Sequence, residues 1–277
     1  MDKMTLSGFA DEISPDLNVQ LETLAAEGIR YLELRGVWGK GVLALSDEEL
    51  AQMKKELDRR GIGVSAIGSP IGKIGIEDDF QQHLVAFRRA MEVAKRMETR
   101  YIRLFSFYLP REDDPHKHRG EVMRRMQGLV DAAAGTSLIL LHENEKDIYG
   151  MTGNRCLDIL QTVNNPYLRA TFDPANFVQA GEKPYDQCFP KLRPYIQYMH
   201  IKDALFKDGS NVPAGEGDGQ FKPILADLAT SGWIGFLSLE PHLKVAGRSM
   251  GFTGPELFRI ATQALKKILD GLGIAYA

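Results

Sequence analysis

The sequence predicts a single-domain (β/α)₈ barrel over residues 1–277. Short apolar runs, which are typical of buried strands, alternate with amphipathic helical segments, at an average of roughly 35 residues for each strand and helix. A strand, a helix and the next parallel strand need about 30 residues or more, so this spacing suits parallel strands. No segment rich in Pro, Gly or Ser marks a domain boundary. An open doubly wound sheet is the alternative, but its usual Gly-rich phosphate turn after the first strand is missing.

The first four strand–helix units follow from apolar runs and helix signals. Strands are predicted at 5–9, 29–35, 63–69 and 100–108. Helices are predicted at 15–27, 46–60, 80–97 and 119–134. Gly28 ends the first helix, while Ser46 and Glu49 form a capping box at the start of the second. A charged loop with the sequence His-Lys-His (116–118) precedes the fourth helix.

The second half of the chain contains four apolar runs that each end at strongly polar residues. These strand segments lie within 137–147, 168–176, 196–204 and 235–242. Helical segments are predicted at 152–162, 184–192, 222–231 and 254–272. Thr152 is expected to cap the first of these helices. The count of eight strands, each followed by helical sequence, completes the predicted barrel.

The composition excludes several classes of protein. With 44% hydrophobic and 26% charged residues, the chain is that of a soluble globular protein. The net charge is −3 and the Lys and Arg residues are scattered, so we expect neither a nucleic-acid partner nor a membrane surface. Cys156 and Cys188 lack C-x-x-C spacing, which fits a reducing compartment. Because no signal peptide or membrane-length apolar run occurs, a cytoplasmic location is expected.

The residues that end the last four strands can all bind a metal ion: Glu143, Asp173, His200 and Glu240. They are spaced by about one strand–helix–strand unit. Parallel strands joined by helices end on the same edge of a barrel, so their C-terminal ends meet at its mouth. We therefore expect the four side chains to lie close together.

Three carboxylates and one imidazole at such a point predict a divalent metal ion. Carboxylates in a region of low dielectric constant repel one another, and their pKa values rise unless a cation neutralises them. One His and three oxygen ligands, with room for water, suit Mn²⁺, Mg²⁺, Co²⁺ or a five- to six-coordinate Zn²⁺, and we expect Mn²⁺ first. In the alternative interpretation, each acid is a solvated strand-end residue or an ion-pair partner.

Five motifs at these positions resemble the sugar-phosphate isomerase/epimerase family of xylose-isomerase-like TIM barrels, which includes ketose 3-epimerases, inosose isomerases and dehydratases. The motifs are HENE (142–145), FDPAN (172–176), HIKD (200–203), GEGDG (215–219) and LEPH (239–242). The resemblance covers essentially the whole chain. It implies a metal site formed by Glu143, Asp173, His200 and Glu240.

The resemblance also implies catalytic roles for Glu143 and Glu240. In the family's epimerases and isomerases, two Glu residues face opposite sides of the substrate carbon. One removes the proton α to a carbonyl and the other returns it, through a metal-stabilised enediolate. The chemistry of a carbon acid agrees, because the reaction needs a base within hydrogen-bond reach and an electrophile at the carbonyl oxygen.

One motif departs from the family pattern. Many of the epimerases read Asp-x-x-His at the sixth strand, and that His helps to hold the sugar. Here Asp173 is followed three residues later by Asn176. Asn176 can hydrogen-bond a hydroxyl group, but it cannot carry a proton near neutral pH. The departure argues against plain ketose 3-epimerisation and leaves room for an elimination or a different isomerisation.

The residues predicted to contact the substrate are Asn176, Lys202, Arg35, His242 and Glu145. Lys202 could hold a substrate oxygen or act as an acid, or it could pair with Glu33 or another interior acid. A Schiff-base role for Lys202 in a metal-free aldolase is a weaker alternative. For His242 and Glu145, the alternatives are a structural histidine and an exposed acid. Glu33 and Arg103 are expected to line the barrel and to pair with each other.

The GEGDG motif (215–219) resembles a phosphate cradle, but it does not lie at the strand-to-helix turn that such a cradle requires. We interpret it as a flexible lid loop, with phosphate binding as the alternative.

These observations predict a metal-dependent sugar, keto-sugar or inositol isomerase or epimerase with a small polyhydroxylated substrate. A lyase or dehydratase of the same family, acting on inosose or keto-glycosides, is the first alternative. An endonuclease-IV-like phosphodiesterase would need several zinc ions and a basic surface, which the six His and the net charge of −3 argue against. A non-catalytic sugar-binding barrel is the third class. Homo-oligomers are possible, but no interface can be identified from the sequence.

Overall fold

The structure, a computed structural model, describes residues 3–243 and 253–277. Its centre is a barrel of eight parallel strands. The strands are β1 (Thr5–Gly8), β2 (Tyr31–Leu34), β3 (Gly63–Ile67), β4 (Tyr101–Leu104), β5 (Ile139–Glu143), β6 (Leu168–Phe172), β7 (Ile196–Ile201) and β8 (Phe236–Leu239). Neighbouring strands pair in chain order from β2 to β8, and β8 pairs with β1. The predicted barrel is confirmed.

The barrel is closed between β1 and β2 by a single bridge, which joins Phe9 to Glu33 in parallel orientation. The other seven pairs of neighbouring strands are hydrogen-bonded within one sheet, although β3 and β4 share only the pair Ile67 and Ile102. The seam between β1 and β2 is therefore one of two junctions with a single residue pair, and side-chain contacts contribute to its closure.

Helices connect the strands and cover the outside of the barrel. In the described ranges they are α1 (Leu17–Ala26), α2 (Asp47–Arg60), α3 (Phe80–Arg96), α4 (Pro115–Ala132), α5 (Gly153–Val163), α6 (Pro174–Gln179), α7 (Phe189–Leu192), α8 (Phe221–Thr230) and α9 (Gly254–Gly271). The predicted capping box at Ser46 and Glu49 is present. Thr152 caps α5 as predicted, because its side chain accepts the N–H of Arg155. No helix in the described ranges is both long and apolar enough to cross a bilayer.

The prediction was wrong about the start of the fourth helix. Helix α4 begins at Pro115, so the His-Lys-His sequence forms its first turns instead of a loop. Asp114 is the N-cap and its side chain accepts the N–H of His116. Pro115 occupies the first helical position, where a missing N–H has no cost. An Asp-Pro pair is thus the start signal that the helical periodicity did not reveal.

The lower interior of the barrel is apolar and aromatic. We call this cluster the barrel floor; it comprises Ala66, Ile139, Leu141 and Tyr198, with Tyr101 and Phe236 packed against it. Leu141 on β5 and Tyr198 on β7 precede Glu143 and His200 by two residues, and Ile139 lies two residues before Leu141. The same inward-facing rows therefore continue upward into the mouth, where the strands end.

Candidate metal centre and active site

The four predicted metal ligands meet at the mouth of the barrel. Glu143 is the last residue of β5, His200 lies in β7, and Asp173 and Glu240 directly follow β6 and β8. Each residue offers one ligand atom, and these four atoms lie within 4.8 Å of one another. All four side chains are buried. The group could therefore hold one metal ion.

The distances between the donor atoms suit the coordination of a small divalent ion. His200 Nδ1 lies 3.0 Å from Glu143 Oε1, 3.4 Å from Glu240 Oε2 and 3.8 Å from Asp173 Oδ2. Adjacent donors that each lie about 2.1 Å from an octahedral ion are about 3.0 Å apart. The oxygen and imidazole donors and their separations thus fit such an ion.

Lys202 extends into the same group. Its Nζ lies 2.8 Å from Asp173 Oδ2 and 3.2 Å from Glu240 Oε2. Burial acts to lower the pKa of Lys202, but the charges of the two carboxylates outweigh it and raise the pKa well above its ordinary value. Of the predicted ion-pair partners, the interior acids Asp173 and Glu240 are the ones observed, and Glu33 is not.

Arg35 holds Glu240 from the side of β1 and β2. Its Nη1 lies 2.8 Å from Glu240 Oε1, and its Nε donates to Asp11 Oδ2 at 2.7 Å. A second group of possible metal ligands lies here, formed by Glu12, Glu240 and His242. The Arg35 guanidinium already lies against both carboxylates of this group, so its positive charge offsets part of their negative charge.

His242 has a left-handed backbone, with φ of 47°, which directs its ring back towards the mouth. Its Nε2 lies 3.1 Å from Glu240 Oε1 and 3.4 Å from Glu12 Oε1. Its backbone N–H donates to Glu12 Oε2 at 3.0 Å. The fully buried Glu12 thus fixes both the backbone and the ring of His242.

The predicted pair between Glu33 and Arg103 is wrong. Arg103 Nη1 lies 3.2 Å from Glu143 Oε2, while Glu33 Oε2 lies 3.2 Å from His200 Nε2. Arg103 belongs to β4, which is hydrogen-bonded to β5, so its side chain meets the glutamate of the neighbouring strand. Its Nη2 also donates to the carbonyl of Gly68. Alternation correctly placed both side chains in the barrel but could not choose their partners.

Asn176 and Glu145 lie beside the metal-ligand group without joining it. Asn176 Nδ2 donates to the carbonyl of Asn144 at 2.8 Å and to Glu143 Oε1 at 3.3 Å. Glu145 Oε2 accepts from Lys73 Nζ at 3.0 Å. Asn176 thus supports Glu143, and Glu145 forms part of the rim.

Asn144 positions one of the candidate metal ligands, and the sequence did not single it out. Its Nδ2 donates to the carbonyl of Asp173 at 2.9 Å, and its Oδ1 accepts the N–H of Asp173 at 3.0 Å. This reciprocal pair fixes the end of β6 against the end of β5. Its position in the HENE motif, directly after Glu143, was the available signal.

The GEGDG loop surrounds a carboxylate of the chain itself. Asp203 accepts backbone N–H groups from Gly215, Gly217 and Gly219 at 2.8, 3.1 and 2.8 Å. A Cβ atom at Gly217 would lie 2.5 Å from Asp203 Oδ1, so glycine is required for this approach. The N–H groups that a phosphate would need are taken by Asp203, which argues against phosphate binding by this loop.

A cavity of about 430 Å³ opens above the four donors. All five residues that were predicted to contact the substrate line it: Arg35, Glu145, Asn176, Lys202 and His242. Other lining residues are Lys73, Arg103, Lys146, Gln179, Gly209, Asn211 and Glu240. The lining is thus rich in hydrogen-bond donors and acceptors, which suits a polar molecule of a few carbon atoms.

The comparison with known families agrees with this geometry. The model of the xylose isomerase-like TIM barrel family matches residues 21–268. The chain belongs to this family. It has the predicted barrel, with the four candidate metal ligands at the ends of its strands.

The named relatives share low sequence identity with the chain. The chain is 23% identical over 186 residues to the probable L-ribulose-5-phosphate 3-epimerase UlaE of Mycoplasma pneumoniae, and this match covers 65% of the chain and 60% of the relative. A D-tagatose 3-epimerase-like protein superposes with a TM-score of 0.79 at 17% identity over 98% of both chains. The probable 3-DHS dehydratase AsbF of Bacillus anthracis superposes with a TM-score of 0.75 at 20% identity, covering 95% of this chain and 98% of the other.

Two structures of the same fold contain a metal ion. A xylose isomerase-like TIM barrel protein of Mycobacterium smegmatis was solved in complex with magnesium, with a TM-score of 0.68 at 18% identity over 97% and 98% of the chains. The IOLI protein was solved with a zinc atom, with a TM-score of 0.72 at 19% identity over 97% and 98% of the chains. At this identity the likeness concerns the fold alone.

Proposed function

We propose that the protein is a divalent-metal-dependent isomerase or epimerase of a small keto-sugar or keto-inositol. The main support is that Glu143 and Glu240 reach the same point from β5 and β8, which lie three strands apart in the barrel. Two carboxylates that flank one carbon can remove a proton on one side and return it on the other. The relative from Mycoplasma pneumoniae is described as an epimerase, which supports the same class.

Both glutamates are expected to be ionised, which is the form that accepts a proton. Burial acts to raise the pKa of Glu143, but the contact with His200 and the charge of Arg103 outweigh it and lower the pKa. Burial also acts to raise the pKa of Glu240, yet the charge of Lys202 lowers it well below its ordinary value. Both side chains can therefore act as bases near neutral pH.

Glu143, Asp173, His200 and Glu240 would hold the metal. A divalent ion at this position would supply a Lewis acid for the carbonyl and hydroxyl oxygens of the substrate. We expect Mn²⁺ first, with Mg²⁺, Co²⁺ or Zn²⁺ as alternatives. Arg35, Asn176 and Glu145 would position the remaining hydroxyl groups from the walls of the cavity.

A dehydratase or related lyase is the second candidate, and Lys202 supports it. The ammonium group lies at the cavity wall, 3.2 Å from Glu240, and is held in the protonated form by its carboxylate neighbours. An acid next to a base can protonate a leaving oxygen while the base removes the neighbouring proton. The same site would then expel water or an alcohol from the substrate.

Mass spectrometry in D₂O tests the proposal. Protein loaded with Mn²⁺ is incubated with a panel of ketoses, keto-inositols and keto-glycosides, alongside Glu240→Gln protein and chelator-treated protein. For an isomerase or epimerase, we expect a product of unchanged constitution that carries one deuterium on carbon. Chelation and the Glu240→Gln change should each abolish the exchange.

The other outcomes are equally informative. Loss of water or of an aglycone would assign the protein to the lyases instead. Absence of exchange with every substrate, together with no retained metal, would overturn the enzyme proposal and favour a sugar-binding barrel.

A further inference from the structure

His200 is the imidazole of the four-donor group, and its two ring nitrogens face different carboxylates. Nδ1 faces the other three donors and lies 3.0 Å from Glu143 Oε1. Nε2 faces away from them and lies 3.2 Å from Glu33 Oε2. Because the His200 side chain is fully buried, these carboxylates determine its hydrogen bonds.

The position of the ring proton follows from the chemistry of these partners. A neutral imidazole carries a hydrogen on one nitrogen and a lone pair on the other. Oε2 of the Glu33 carboxylate faces Nε2 of His200 at hydrogen-bond distance and can accept its hydrogen, so this contact favours the proton on Nε2. Nδ1 then presents its lone pair to the space between the three carboxylates, as a metal ligand must.

We propose that Glu33 is a positioning residue of the metal centre, which selects the tautomer of His200 and fixes the plane of its ring. This inference rests on the proposed function, because it requires a metal at the four donors. Glu33 acts through His200 and does not line the cavity. Within residues 3–243 and 253–277, His200 is the only basic side chain within 4 Å of the Glu33 carboxylate.

The surroundings of His200 hold the ring in the same orientation. The edge of the Phe9 ring contacts it at a centroid distance of 5.2 Å and an angle of 73°. Tyr198 contacts it at 5.9 Å and 87°. Phe9 also forms the backbone bridge to Glu33 across the seam. The position of Glu33 relative to His200 is therefore set by the closure of the barrel.

A purely structural role for Glu33 would have different consequences. A buried acid that only completes the packing affects the free energy of unfolding and leaves the metal affinity unchanged. A positioning residue changes the affinity for the metal, typically by 10- to 100-fold. The two roles can thus be separated without any assay of enzyme activity.

Isothermal titration of metal-free protein with Mn²⁺ provides the first test. We expect the wild-type protein to bind one ion and the Glu33→Gln protein to bind it about 10- to 100-fold more weakly. Ser7→Ala is the matched control, since it removes a buried interior hydrogen bond to Ser65 without touching His200. Its affinity should stay within about threefold of wild type, because the metal-ligand group is unchanged.

The outcomes distinguish the two proposals. Equal affinities of wild-type and Glu33→Gln protein would overturn the role of Glu33 while leaving the metal site in place. An equal loss of affinity in Ser7→Ala would also overturn it, because any interior change would then suffice. Failure of wild-type protein to bind Mn²⁺, Mg²⁺ or Zn²⁺ would instead overturn the proposed function.

A second measurement needs no substitution at Glu33 and therefore does not depend on the folding of that variant. Protein with ¹⁵N-labelled histidine is loaded with Zn²⁺, and the His200 signals are identified by their absence from His200→Ala protein. We expect the proton on Nε2 and the metal on Nδ1. The reverse assignment would contradict the proposal.

Discussion

The floor and the mouth of the barrel are built from the same strands, yet their chemistry is opposite. Leu141 in the floor precedes Glu143 in the mouth by two residues, and Tyr198 precedes His200 in the same way. Two residues along a strand span about 6.6 Å. Over this distance the interior changes from apolar contacts to a dense set of charges.

The two regions therefore contribute in different ways. Burying apolar side chains in the floor stabilises the fold. In the mouth, burial acts against each ionised carboxylate. Neighbouring groups outweigh it at Glu143 and Glu240, but not at Asp173, whose pKa is raised. We therefore expect substitutions in the floor to change mainly the stability of the protein, and substitutions in the mouth to change mainly its chemistry.

The largest expected effect is that of Glu240→Gln in the mouth. The amide keeps the shape of the side chain but cannot accept a proton from carbon, so the rate of deuterium incorporation should fall by about 10²–10⁴-fold. The fold should be retained, because the amide leaves no cavity, although Arg35 and Lys202 lose a charged partner. A rate within tenfold of wild type would exclude Glu240 as a base.

In the floor, Leu141→Ala should lower the stability of the protein and leave its reaction rate nearly unchanged. Truncation of a fully buried leucine leaves a cavity and lowers the free energy of unfolding by about 2–5 kcal/mol, as measured by urea titration. The rate at saturating substrate should stay within a few-fold of wild type. Leu272→Ala is the control, since Leu272 is 37% exposed and its truncation should cost far less. Equal losses in the two variants would contradict the assignment of the floor.

Asp203→Asn tests the loop that borders the mouth. One carboxylate oxygen becomes an NH₂ group that faces backbone N–H donors, so the free energy of unfolding should fall by about 1–3 kcal/mol. Because Gly209 and Asn211 of the neighbouring segment line the cavity, KM should rise more than kcat falls. Asp208→Asn, an exposed change in the same segment, should leave KM and kcat unchanged. A larger effect on kcat than on KM would point to a direct role in the reaction.

The smallest effect is expected at the rim. Glu145→Gln removes a partly exposed ion pair with Lys73, so the free energy of unfolding should change by less than about 1 kcal/mol. KM is expected to change by a few-fold at most, as measured by initial rates over a range of substrate concentrations. A tenfold change in KM would place Glu145 in direct contact with the substrate.

The sequence was most informative where strand alternation and barrel topology acted together. Each candidate ligand ends an apolar strand, and parallel strands end on one edge, so the meeting of Glu143, Asp173, His200 and Glu240 followed from geometry alone. The five predicted substrate contacts line the cavity for the same reason. Their contact with a substrate stays a prediction.

The sequence could not predict which charged side chains pair with each other inside the barrel. Alternation states which face a side chain occupies, but the rotation of each strand decides whether Arg103 meets Glu33 or Glu143. The resemblance of the GEGDG motif to a phosphate cradle was misleading for a related reason. The group that accepts the N–H of Gly215 is the carboxylate of Asp203, which lies 12 residues earlier in the chain. Such pairings depend on distances between elements, which no local pattern contains.

The seam between β1 and β2 affects the order in which the barrel folds. The contacts that join it to the mouth connect residues far apart in sequence. Arg35 and Glu240 are 205 positions apart, and Glu33 and His200 are 167 positions apart. Contacts of such long range form late, because the chain entropy of closing large loops must be overcome first. During synthesis, Glu33 and Arg35 emerge long before their partners, which lie on β7 and directly after β8. We therefore expect the mouth, with its candidate metal ligands, to be the final part of the barrel to assemble.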